Sequence, residues 1–179
     1  MNQQPTLPGV CGRAAVVHTI TYMFMGIIAS ALLDYKTDFA RPEMACWMRQ
    51  FDDPILRAGV LFQPIRGALF GLAFYPLRDI VFGKKNGWLT IWWLLVALAI
   101  LGTFGPAPGS IEGMIFTHIP GQYRGYLEVV PQAFLFSAIV YYWVNKPEKK
   151  WLNWTLGALF VVTILLPILD LATRSRHGG

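Results

Sequence analysis

The chain has 179 residues, 55% of them apolar and only 14% charged, where soluble domains run near about 45–50% and about 25%. The charges gather in short clusters between long uncharged runs, which excludes an ordinary soluble domain and makes the lipid bilayer the expected partner. A net charge of +5 does not imply nucleic acid. The basic residues sit at the ends of apolar runs (Lys84 and Lys85, Lys146, Lys149 and Lys150, Arg174, Arg176), where they suit anionic headgroups.

A helix crossing about 30 Å of hydrocarbon needs about 20 mostly apolar residues. The first such run covers residues 14–33, interrupted by His18, Thr19 and Thr21 and ended by Asp34. Ala29-Ser30-Ala31 looks like a signal-peptidase site behind an apolar stretch, but the segment is expected to be a retained helix. Residues 34–54 form a polar loop with five acidic residues, three basic ones and two prolines. Within it Met44, Trp47, Met48 and Phe51 fall at helical spacing, predicting a short amphipathic helix over residues 43–51.

The second span, residues 55–75, is the least lipid-like, holding Arg57, Gln63, Pro64 and Arg66. Pro64 is expected to kink it. Gly67 and Gly71 form a small-xxx-small pair that permits close helix contact, read here as the face of a homo- or hetero-oligomer. A tight turn with Lys84 and Lys85 leads to the third span, residues 88–105, anchored by Trp88, Trp92 and Trp93. Gly105 and Pro106 stop it. Residues 106–121 are too short to span yet unusually apolar for a loop, so a re-entrant or interfacial segment is expected, with Ser110 as a helix cap. The fourth and fifth spans cover residues 126–144 and 151–171.

These elements predict one all-α membrane domain, a polytopic helical bundle of five spans with its termini on opposite sides. Seven Lys and Arg fall on each side. Those beside the short turns favour a cytoplasmic N-terminus, in a bacterial inner membrane or its equivalent. Cys11 and Cys46 flank the first span, so they are expected to remain unpaired thiols.

An ionisable side chain deep in a span costs at least about 2.5–3.5 kcal/mol and needs a partner or a hydrated cavity. Arg66 is the clearest case, with Glu112 and Glu128 as candidate partners. Arg66, Gln63, Glu112, His118, Glu128 and Gln132 are therefore expected to line a polar cavity, the default binding or permeation site. His18 and His118 lack metal-ligand spacing, so no metal, haem or other cofactor is expected. No nucleophile elbow or phosphate-binding loop is present to name a catalytic residue. The expected role is transport or channel-like, for a small solute or ion. A non-enzymatic accessory or scaffold subunit is the alternative, and a membrane-embedded enzyme comes third.

Overall fold

A computed structural model describes residues 5–119 and 121–177. Among these residues the regular structure is all helical, with no strand. Helix α1, Leu7–Leu32, starts well before the predicted residue 14. Thr6 caps it, its hydroxyl accepting from the Gly9 N–H at 3.3 Å, and Pro8 occupies the first turn, where a missing N–H costs nothing. The hydroxyls of Thr19 and Thr21 return to the carbonyls of Ala15 and Val17 at 2.8 and 2.9 Å, which satisfies them inside an apolar helix. Asp34, with φ of 46°, breaks the helix.

The loop that follows holds two short helices, α2 (Tyr35–Ala40) and α3 (Pro42–Ala45). The amphipathic helix expected over residues 43–51 is thus cut short after one turn. Instead, Phe51 folds back against Phe39, with ring centroids 5.4 Å apart, and the Gln50 amide donates to the Phe39 carbonyl at 2.8 Å. Those contacts require turns rather than a continued helix.

The second apolar run is longer than predicted, and Pro54–Val81 forms one candidate span. It consists of α4 (Pro54–Arg57), a 3₁₀ segment (Ala58–Phe62), α5 (Gln63–Phe74), a 3₁₀ turn (Tyr75–Leu77) and α6 (Arg78–Val81). Pro64 and Pro76 account for the interruptions, because each lacks an N–H and crowds the preceding turn. The Gly67/Gly71 face does make a close helix contact, but with α1 of the same chain. A Cβ at Gly67 would lie 2.6 Å from the Ala15 Cα, and one at Gly71 would lie 2.6 Å from the Cys11 Cα. That face is filled within the chain and is not left open for a second subunit.

The third apolar helix comprises α7 (Gly87–Leu94, eight residues) and a seven-residue π-helix (Leu95–Leu101). It ends at Gly102 rather than at residue 105, as the Gly102 N–H closes on the Ala97 carbonyl at 2.8 Å. Next come α8 (Ile111–Phe116), α9 (Tyr126–Asn145) and α10 (Lys150–His177). Ser110 caps α8 as expected, its hydroxyl accepting from the Gly113 N–H at 2.9 Å. Pro120, at the end of this segment, lies outside the described residues.

Among the described residues four helices are long and apolar enough to cross a membrane: Leu7–Leu32, Pro54–Val81, Tyr123–Asn145 and Lys150–Arg174, with Gly87–Leu101 apolar but shorter. The core forms where α1 packs on α5, α9 and α10, around Val10, Ala14, Val17, Phe74 and Phe136. The outward faces are apolar too, including Leu69, Leu72, Val162 and Leu166, far beyond the patches a soluble monomer exposes. At one end the Gly83 N–H donates to Asn145 Oδ1 at 2.7 Å, joining the two short turns. At the other, Arg124 pairs with Asp38 of α2 at 2.7 Å, and Arg57 of α4 with Asp170 of α10 at 3.6 Å.

Candidate functional site

The apolar run of α1 is broken by His18 and Tyr22, four residues apart and so on one face of the helix. His18 is only 4% exposed. Its Nε2 lies 3.1 Å from Gln63 Oε1, while the Gln63 amide donates to the Gly59 carbonyl at 3.1 Å. The amide nitrogen being spent on Gly59, the Gln63 oxygen accepts and His18 Nε2 carries the proton. The rings of Phe70 and Phe136 meet the imidazole edge-on, at 5.1 and 5.6 Å.

Beside this pair lies a cavity of about 250 Å³ between α1, α5, the π-helix and α9. Its polar lining is His18, Tyr22, Arg66, Thr103, Glu128 and Gln132, set among apolar side chains such as Leu95, Ile100 and Val129. Three of these polar groups have no hydrogen-bond or ion-pair partner among the described residues. Among the described residues no carboxylate lies within 4 Å of Arg66, and its guanidinium rests instead 5.7 Å from the centre of the Phe70 ring. Gln132 is 8% exposed, and no described residue hydrogen-bonds its amide. The Thr103 hydroxyl is buried without a partner. A buried hydroxyl left unmet, as at Thr103, is costly unless water or a ligand completes it.

Glu128 is the engaged member. It accepts a 2.5 Å hydrogen bond from the Tyr35 hydroxyl and lies beside Gly26 of α1. Burial, then the Glu128 carboxylate, push the Tyr35 phenol above its ordinary range. The loop helix α2 is thereby fastened to the rim of the cavity.

Of the six residues expected at a polar cavity, Arg66, Glu128 and Gln132 line it, and Gln63 stands behind His18. Glu112 on α8 and His118 after it are exposed and are not part of the lining. The Arg66–carboxylate contact foreseen from sequence does not form, because Glu128 turns to Tyr35 and Glu112 faces outward. Sequence reasoning passed over Tyr22 and Thr103 and weighed His18 as a metal or haem ligand against a hydrogen-bonded core residue, which is what it is here. A polar i, i+4 pair in an apolar helix was the available signal for the first and last of these. Thr103 gave none. Among the described residues no three His, Cys, Asp or Glu side chains converge as a metal site.

With one unpaired cation, one occupied carboxylate and neutral donors, the cavity is suited to a small anionic or strongly polar group. Comparison with protein-family models, curated proteins and solved structures gave no match, so the chemistry of the site is the ground on which a function can be argued.

Proposed function

We propose that the chain crosses the membrane five times and that its cavity takes up and passes a small anionic solute. One observation carries this reading: Arg66 lines a cavity among apolar helices with no carboxylate within 4 Å among the described residues. A purely structural arginine would offset its desolvation by pairing. Here that offset is left to water or to a bound anion, and Gln132 and Thr103 offer further donors to the same space.

The shorter Gly87–Leu101 helix is the third crossing, and local bilayer thinning absorbs its mismatch at fractions of a kcal/mol per Å. Five crossings put the turns bearing Lys84, Lys85, Lys146 and Lys149 on one side. By the positive-inside rule that side is cytoplasmic, together with the N-terminus.

The test is anion permeability of proteoliposomes, followed by stopped-flow light scattering with formate, chloride and phosphate salts. Permeability above that of empty liposomes is expected, falling at least about tenfold in Arg66→Ala, as for loss of a charge-assisted contact. Thermal melting should show the variant still folded. Undiminished permeability in a folded Arg66→Ala protein would remove the basis of the proposal.

A further inference from the structure

The cavity is open along one flank. Arg66 and Phe70 of α5 line it, as do Leu95, Ala99 and Ile100 of the π-helix, yet these two elements scarcely pack on each other. α5 packs on α1, and α7 on α9, so the second and third apolar helices stand apart with the cavity between them. Arg66 and Ala99 are both exposed while lining it, which puts them at its mouth. Their neighbours Leu69 and Leu98, 60% and 65% exposed, belong to the apolar outer surface. In a membrane-embedded bundle that surface faces lipid. At the loop end Ala107 and the exposed Pro108 also line the cavity, and Tyr35 is bonded to Glu128 beside them.

We infer that the ligand is an anionic amphiphile, a phosphate or carboxylate head on an acyl chain, entering sideways from the bilayer between α5 and the π-helix. The inference rests on the reading of the cavity as an anion site in a membrane bundle and goes on to name the substrate class. At about 250 Å³ the cavity is smaller than the ~300–1,000 Å³ of a site for a drug-sized molecule. It holds a head, while the chain stays in the apolar gap flanked by Phe70 and Ile100. The planar guanidinium of Arg66 matches a phosphate or carboxylate fork at the mouth, and Gln132 and Thr103 offer hydrogen bonds to its remaining oxygens.

The experiment titrates the full chain in detergent with phosphatidic acid, phosphatidylcholine and inorganic phosphate, reading apparent Kd by native mass spectrometry. Four variants are compared, each checked by thermal melting: Arg66→Gln, Arg66→Lys, Ala99→Phe to plug the mouth, and Lys84→Gln as a control on a distant turn. Phosphatidic acid is expected to bind at least about tenfold more tightly than phosphatidylcholine. Arg66→Gln should remove that preference, Arg66→Lys should restore it in part, Ala99→Phe should weaken binding, and Lys84→Gln should leave it unchanged.

If inorganic phosphate competes at equal concentration and Ala99→Phe has no effect, the lateral amphiphile is overturned while the anion site stands. If Lys84→Gln weakens binding as much as Arg66→Gln, the lipid is held by surface charge and the inference fails. If neither phosphatidic acid nor phosphate binds, the inference and the proposed function fall together.

Discussion

On one flank of α5, Gly67 and Gly71 bring the backbone of α1 so near that an added Cβ would lie 2.6 Å from it. On the other, Arg66 and Phe70 line an open space shared with Ala99 and Ile100. The two stripes are one residue out of step, 66 and 70 against 67 and 71, which is about 100° around an α-helix. Two glycines set the distance between α5 and α1, and that contact is dry and close. No equivalent small-residue stripe draws α5 to the π-helix, and the gap that remains holds unpaired polar groups. A single helix thus separates the part of the molecule that must not move from the part that can accept something. Lipid-embedded helices associate through packing rather than hydrophobic expulsion, so a missing packing stripe is enough to leave a cavity.

Substitutions on the tight flank should disturb folding most. Phe136, 1% exposed and in ring contact with His18, Phe70 and Phe74, ties the two flanks together. Phe136→Ala should cost about 3–5 kcal/mol in equilibrium unfolding, by cavity formation. Gly67→Val pushes against backbone atoms of α1 and should cost about 1–3 kcal/mol. The matching change across the gap, Ala99→Val, should stay within about 0.5 kcal/mol. Equal costs at positions 67 and 99 would erase the comparison.

Smaller effects sharpen it at the rim. Tyr35→Phe removes the hydrogen bond to Glu128 and should cost about 1 kcal/mol. Because the Tyr35 phenol is raised above its ordinary value, its neutral form favours the fold. That contribution is fully present below the unfolded value of about 10 and is lost as pH rises through the folded value. The wild-type protein should therefore lose stability in a pH titration carried above about 10, and Tyr35→Phe should lack that component. The smallest change in stability belongs to Arg66→Gln, close to zero, since Arg66 has no carboxylate to lose among the described residues. A large destabilisation there would mean that Arg66 is structural.

Much of the fold was legible because the signals were long. The apolar runs and their proline, glycine and lysine punctuation located every major helix, though α1 and α10 run further than their apolar cores suggested. Helix ends respond to caps such as Thr6, which hydropathy does not register. The glycine pair announced a close contact but not its partner, because small-xxx-small describes a surface and not what lies on it. The third apolar helix came out shorter because Gly102 closes its last turn on Ala97, a local geometry with no signature in composition.

At the site, the expensive residues inside apolar runs were the right ones to suspect, and Arg66, Glu128 and Gln132 do line one cavity. Glu112 and His118 belonged to a segment judged by its apolar content, and their outward placement depends on how α8 sits on its cap. Whether Arg66 meets a carboxylate is a question of tertiary geometry, and here Glu128 is bonded to Tyr35 instead.

On the proposed reading the space beside Arg66 is an accessible polar cavity within a membrane-embedded bundle. Cysteine labelling in vesicles tests it most directly, on a background of Cys11→Ala and Cys46→Ser. Gln132→Cys should react with a small charged methanethiosulfonate, and phosphatidic acid or a permeant anion should slow that reaction. Leu165→Cys, on the outer face of α10, should not react. A Gln132→Cys thiol as inert as Leu165→Cys, in a folded and inserted protein, would contradict the account.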